Sequence, residues 1–360
     1  MRERRVPLRS ILLVAAALGL APGAGCARMV TLSAPDSEAF RDAMAEATRH
    51  EHHGRREEAA RAYARAAEAA DRRVDRDEAD YRRAHVLEEL GHTDRALTLL
   101  DDIASRRPPS RRTARARFDA ALMRYDTGAK DAALKGFRTV AVEHSDSGLG
   151  GRALWYLVKD RRDADDDAGA LRLVRSLYPR LRDTSLGDDL LHYEARILKD
   201  RGDRAGARAA LERLVDNHPY PQGHRWDDAL LELSEWAEEA GEPRRAIGYL
   251  EALVQRHDTT TMVGSYTLPS MPKAQLRIAQ LYRDEVGDDE AAAAAYERLV
   301  AKFPRSTLRD DALFELGELH FDRGDRAAAC ELFERVEREF EVGHARRQAA
   351  ERLREDCGKR

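Results

Sequence analysis

One glycine recurs in register along this 360-residue chain, and it limits the possible folds more than any other feature. Gly54, Gly91, Gly128, Gly202, Gly241, Gly287 and Gly324 are separated by 37, 37, 74, 39, 46 and 37 residues. The gap of 74 is two periods, and its midpoint is Asp165. Five residues after each of these eight positions stands an alanine: Ala59, Ala96, Ala133, Ala170, Ala207, Ala246, Ala292 and Ala329. Nine residues after come Tyr63, Leu100, Phe137, Val174, Leu211, Leu250, Tyr296 and Phe333. Twelve after come Ala66, Ile103, Val140, Leu177, Leu214, Leu253, Leu299 and Val336.

Spacings of four and three residues put these places on one stripe of a helix. The alanine allows close approach to a neighbour, and the larger residues fill the space beside it. The glycine before the stripe suits a turn with positive φ that ends the preceding helix. Pro108, Pro219 and Pro304, near plus seventeen, close three units. Each unit therefore reads as two antiparallel helices that bury their apolar faces only by stacking on the next pair. Ala, Leu, Arg and Glu dominate elsewhere, as an all-α chain requires.

On this frame the chain resembles the tetratricopeptide repeat family. The family's glycine, alanine, aromatic and small-residue places fall on Gly324, Ala329, Phe333 and Gly317, with Val336 further on and Pro304 closing the previous unit. The resemblance implies a right-handed superhelical solenoid of about eight helix hairpins over residues 37–343. The period of 37 exceeds the family's usual length of about 34, so longer helices or looser joints are expected. "FPRSTLRDDALFELGELHFDRGD" is similar to repeats of bacterial outer-membrane assembly and Tol-associated envelope proteins. Residues 344–360, "HARRQAAERLREDCGKR", lack the frame and read as a capping helix and tail. The nine extra residues in the gap of 46 fall in 258–275, nearly uncharged, which reads as a loop or small hairpin serving either binding or linkage.

Residues 1–25 differ in kind. Four arginines (Arg2, Arg4, Arg5 and Arg9) precede the uncharged run Ile11–Leu20, which is the pattern of an export signal and too short for a membrane span. Small residues then lead to Cys26, which resembles a bacterial lipoprotein signal. That resemblance implies cleavage before Cys26, lipid attachment there, a tether over 26–36 and residence at the periplasmic face of the outer membrane. An ordinary secretory signal, giving a soluble periplasmic protein, is the alternative. The formal charge is -4 and becomes -7 once residues 1–25, with four Arg and one Glu, are removed. With acids interspersed everywhere, the arginine excess makes no basic field, and nucleic-acid binding is excluded.

Chemistry-bearing motifs are few. His50 and His53 share a helical face, but no third ligand accompanies them, so they read as a solvated helix end. Asp163–Gly169 alternates acids like a calcium loop but has Val174 where glutamate is required, so it reads as a polar turn. His144, His218 and His257 occupy the plus-sixteen place and repeat one helix-end feature. Nucleophile-elbow, P-loop and dinucleotide motifs are missing. The expectation is a non-enzymatic interaction scaffold with no cofactor, metal or small-molecule substrate, its partner an envelope protein or peptide segment. The alternative is an accessory superhelical module of a cell-wall enzyme complex, similar to the superhelical region of soluble lytic transglycosylases.

In the repeat family the first helix of each unit lines the concave face, thirteen, ten, six and three residues before the turn. Carried over, this implies Tyr81 and His85, then Phe118, Leu122 and Tyr125, then Arg152, Trp155, Lys159 and Arg162, then His192, Arg196 and Lys199. An aromatic band merges into a basic one, suited to an extended peptide with a carboxylate or acidic segment, although such aromatics equally serve as core. Near the end, a chain reversal at Glu341–Gly343 brings Cys330 opposite residue 354, three residues from Cys357. The two cysteines either pair, as export permits, or Cys330 is a packed small residue.

Replacing Cys26 with serine tests the anchor. Cys26→Ser is expected to move the protein from the membrane to the soluble fraction, because each buried acyl CH₂ contributes roughly 0.8 kcal/mol. A wild-type protein already soluble in the periplasm excludes lipid attachment.

Overall fold

The computed structural model describes residues 36–255 and 267–358. Residues 1–25, Cys26, the tether up to residue 35 and His257 lie outside the described residues, as does 258–266 of the 258–275 segment. Among the described residues every regular element is helical, and no helix is long and apolar enough to cross a membrane. The chain divides into two compact units, Met1–His92 and Thr93–Arg360.

The first unit holds α1 (Glu38–His52), α2 (Arg56–Glu68) and α3 (Arg73–Glu89). Phe40, Ala66, Ala67, Ala70 and Ala79 form its core. Ser37 fixes the entry to α1: its Oγ accepts from the Phe40 amide (3.2 Å) and donates to the Ala69 carbonyl (2.7 Å).

The second unit continues the alternation with α4 (Thr93–Ser105), α5 (Thr113–Asp126), α6 (Lys130–Glu143), α7 (Gly148–Asp163) and α8 (Asp167–Leu181). Then come α9 (Gly187–Asp200), α10 (Arg204–Asn217), α11 (Trp226–Glu239), α12 (Pro243–Val254) and α13 (Thr267–Leu281). A π-helical turn, Tyr282–Val286, precedes α14 (Asp289–Lys302), α15 (Arg309–Asp322), α16 (Arg326–Glu339) and α17 (His344–Glu355). Odd-numbered helices are the first of each unit, the A helices. Even-numbered ones are the second, the B helices.

The frame has the same physical meaning at every turn. All seven glycines adopt φ between 70° and 87°, and Asp165 takes the same left-handed region at 54°. The amide three residues past the helix then reaches back to a carbonyl five residues earlier. Arg55 bonds His50, His92 bonds Leu87, Ala129 bonds Arg124 and Asp166 bonds Arg161, all at 2.8–2.9 Å. Asp203, Glu242 and Asp325 repeat the bond. Asp166, Asp203, Asp288 and Asp325 then cap the B helix, each accepting from the amide three residues on. All eight plus-five alanines are completely buried, and the plus-nine and plus-twelve residues are at most 2% exposed.

The A helix supplies the complementary small residue. A Cβ on Gly317 would lie 2.6 Å from the Phe333 ring, so only glycine fits there. Ala47, Ala84, Ala121 and Ala195 fill the matching place elsewhere. The expected extra length of the units goes into the joints: seven residues separate α4 from α5, and eight separate α10 from α11.

One expectation needs correcting around the seventh unit. The 258–275 segment reads as a loop or hairpin, but residues 267–275 form the first turns of α13. Within residues 270–275 the apolar and uncharged side chains serve the core: Met271 and Ala274 are buried, and the Gln275 amide donates to the Ala295 carbonyl at 2.9 Å. Further on, the π-helical turn lengthens the reach-back bond by one residue, Asp288 to Tyr282 at 2.8 Å. The small-residue place thereby moves from Gln280 to the fully buried Ala279.

At the end, α17 covers α16 through Ala345, Ala349 and Leu353. Cys330 of α16 and Cys357, just past α17, are joined in a disulfide with Cα atoms 5.9 Å apart.

The turns predict two opposite substitutions. Nothing lies within 4 Å of a Cβ built on Gly128, so Gly128→Ala costs only backbone strain, about 1 kcal/mol. Asp165→Gly relieves the same strain, partly offset by greater freedom of the unfolded chain, and is expected to be neutral or stabilising. Urea unfolding of both variants checks the pair, and a stabilising Gly128→Ala contradicts it.

Candidate functional site

The A helices of the second unit carry most of the residues that the sequence marks for partner binding. Residues ten before each turn are Tyr81, Phe118, Trp155 and His192, one repeat apart, yet they have different fates. Tyr81 is buried in α3 with its ring 4.6 Å from that of His85, whose Nδ1 lies 3.4 Å from Glu88. Phe118 is completely buried, 5.5 Å from Phe137 and 6.1 Å from Tyr156, with the Arg152 guanidinium 4.8 Å over its ring. Neither is available to a partner. These two expected contacts are core residues, because a large ring on an A helix gains most by packing on its neighbours.

Trp155 behaves differently because its neighbour takes the inner place. Tyr156 stacks on Phe137 with ring centres 4.6 Å apart, leaving Trp155 turned outward and 45% exposed. It is the only aromatic among the exposed large apolar side chains of the described residues. Tyr156 meets it edge-on at 4.8 Å, and Lys159 Nζ lies 5.9 Å from its ring centre. Tyr125 packs partly buried against Tyr156 at 5.5 Å, and Leu122 lies partly buried on the same core.

The basic band proves to be mostly neutralised. Lys159 pairs with Asp163 on its own helix. Arg162 bridges to Asp200 of α9 at 2.6 Å and to Asp167 at 3.3 Å. Lys199 bridges to Glu232 of α11 at 2.5 Å. The same linkage continues from A helix to A helix with Arg277–Glu238 and Arg352–Glu318, both at 2.5 Å, and with Arg283–Glu315 from the π-helical turn. Only Arg152 and Arg196 of the expected cations are exposed with no carboxylate partner among the described residues. Sequence reasoning missed the acids. The same offsets applied to the sixth unit give Glu235 and Glu238, which would have shown that the band is mixed.

A second feature with no sequence signal joins α9 to the loop before α11. Asp188, almost fully buried, accepts from the backbone amides of His224 (2.7 Å) and Arg225 (3.0 Å). The His224 ring lies between two carboxylates, Nδ1 2.9 Å from Asp188 and Nε2 3.3 Å from Asp189. Arg225 Nε adds a bond to Asp189 at 3.1 Å. Hydrogen bonds to Asp188 and then Asp189 outweigh burial and raise His224 to about 10. Burial opposes the charge of Asp188, but His224 and the two amides hold it below its usual value. Three ligand-type atoms fall within 4.8 Å here. Both ring nitrogens are engaged as donors to carboxylates, however, so the arrangement is an imidazolium staple and not a metal centre.

Comparison with known proteins matches this architecture. A tetratricopeptide repeat family model matches residues 81–147, 231–307 and 285–344, and a second one matches 189–219. No curated protein sequence matches the chain. Among solved structures, the C-terminal part of a TPR repeat-containing protein from Cytophaga hutchinsonii is 16% identical, with a TM-score of 0.40, covering 76% of this chain and 99% of that one. A tetratricopeptide repeat protein from Parabacteroides merdae is 13% identical, with a TM-score of 0.30 and coverage of 77% and 97%. YrrB, described as a TPR protein with an unusual peptide-binding site, is 12% identical, with a TM-score of 0.35 and coverage of 60% and 97%.

The staple predicts how stability varies with pH. His224 is raised in the fold, so its contribution is complete below pH 6.5 and is lost as the pH climbs towards about 10. Asp188 is lowered, so its contribution is present above its ordinary 3.8 and is lost only at more acidic pH. His224→Gln is expected to flatten the alkaline fall of the melting temperature. A variant whose melting profile tracks wild type between pH 6.5 and 10 contradicts the staple.

Proposed function

On the premise that the chain belongs to the tetratricopeptide repeat family, we propose that it is a non-enzymatic scaffold of the bacterial cell envelope. In this reading residues 1–25 direct export, Cys26 carries the lipid, and the repeats hold a peptide or protein segment on their A-helix face. The observation that carries the reading is Trp155. A tryptophan left 45% exposed while Tyr156 occupies the core beside it is an anchor without a partner in the free protein. Arg152 lies one helical turn before it and Lys159 one turn after, so an apolar anchor sits between cations. Such a surface fits a partner segment that offers an apolar side chain flanked by acidic residues.

The test has two stages. A photoreactive benzoylphenylalanine at position 155, introduced in cells, identifies the segment that crosslinks. The purified segment is then titrated against Trp155→Ala, Arg152→Glu and, on a B helix, the exposed Arg138→Glu. The first two are expected to weaken binding by about tenfold or more, equivalent to about 1.4 kcal/mol, while the third leaves it unchanged. Undiminished binding by Trp155→Ala and Arg152→Glu moves the site to another surface.

A further inference from the structure

One stripe of α9 divides into satisfied ends and an unsatisfied middle. Asp189, His192, Arg196 and Lys199 follow one another at spacings of three, four and three, so they lie along one face. The neighbouring helix α11 and its entry loop engage both ends. Arg225 and His224 hold Asp189, and Glu232 holds Lys199. The two central residues are left over. Arg196 is exposed and has no carboxylate within ion-pairing distance among the described residues. His192 is half-buried, and neither ring nitrogen has a hydrogen-bond partner there. On the same face Arg162 and Lys199 each pair with an acid of the next A helix, whereas His192 and Arg196, adjacent on α9, do not.

We propose that His192 and Arg196 form a carboxylate-accepting subsite, in which a partner's acidic side chain bonds to the guanidinium and draws a proton onto the imidazole. The proposal rests on the reading of the A-helix face as the partner-binding surface and adds the chemistry of one contact. The charges around His192 fix its sense. Burial, then Arg225, then Arg196 lower its proton affinity in the free protein, against Glu232 and Asp189. Both of those acids are already engaged by Lys199 and Arg225. Asp228, exposed at the start of α11, makes no ion pair among the described residues. Glu194 belongs to the opposite side of α9, where Arg175 and Arg213 hold it at 2.7 and 3.3 Å. The imidazole is therefore neutral at neutral pH in the free protein. An incoming carboxylate adds the missing negative charge, the ring takes a proton from solvent, and binding strengthens as the pH falls.

The probe is N-acetylated tetraglutamate, with tetraglutamine as its neutral counterpart. The readout is the titration midpoint of the His192 ring, followed by NMR in the full chain. Saturating tetraglutamate is expected to raise the midpoint by about 1 pH unit, and tetraglutamine to leave it in place. Arg196→Gln should remove most of the rise, and Arg138→Gln should not. His192→Gln, which keeps a hydrogen-bond donor but cannot take up a proton, should bind tetraglutamate equally at pH 5.5 and 8. Wild type should bind about fivefold tighter at the lower pH. A midpoint unmoved by tetraglutamate, moved equally by tetraglutamine, or moved fully in Arg196→Gln overturns the subsite. A crosslinked partner at position 155 with an unmoved His192 removes this contact alone. A responding His192 with no crosslink removes the Trp155 anchor and leaves the subsite.

Discussion

The repeats depend on a hydrogen bond that reaches back five residues across a left-handed turn. An A helix ends with unpaired carbonyls, and the bond from the residue after the glycine closes one of them. Its 2.8–2.9 Å length barely varies between Arg55, His92, Ala129, Asp166, Asp203, Glu242 and Asp325. Because each turn is the same, each B helix leaves in the same direction. The alanine and the bulky residue then arrive at the same places on the A helix. Packing in this molecule follows from turn geometry, since Ala329 and Phe333 could not meet Gly317 from another exit angle.

The same regularity makes departures informative. Ten residues before the turn, the chain places Tyr81, Phe118, Trp155 and His192. The first two are absorbed by the core. The third is displaced by Tyr156, and the fourth is too polar for full burial. A repeated position that would otherwise be structural thus becomes surface in two consecutive units. That change of role leaves two consecutive rungs of the A-helix face at the surface in a scaffold that otherwise repeats itself. The ion pairs from α7 to α17 surround this face with a neutral mixture of charges, against which Arg152 and Arg196 stand out.

The fold was legible because its determinants are local. Period, stripe and turn lie within twenty residues of one another, and Asp165 could be assigned to a turn from spacing alone. What could not be read is set by contacts between units. Arg162–Asp200 and Lys199–Glu232 join residues 38 and 33 apart, and no local pattern marks a cation as already paired. Asp188 looks like one more acid in a helical first turn until the following loop is seen folding onto it. The extra residue of the π-helical turn was hidden for a related reason. It shifts the frame within one helix only, and the nine surplus residues nearby were read together as a loop. On the candidate face, which aromatics point outward is decided by competition between adjacent rings such as Trp155 and Tyr156, and no spacing in the sequence marks that.

The disulfide gives the last repeat a mechanical character that the other described repeats lack. In a linear stack each unit is held mainly by its neighbours, so an outermost helix normally opens first and independently. Here the closing helix α17 and the part of α16 from Cys330 onward lie within a loop closed by two cysteines 27 positions apart. A protease that cuts inside that loop severs the backbone without releasing either helix. A nick there leaves both helices tethered to the stack through sulfur, so the last repeat is held by a covalent link as well as by packing.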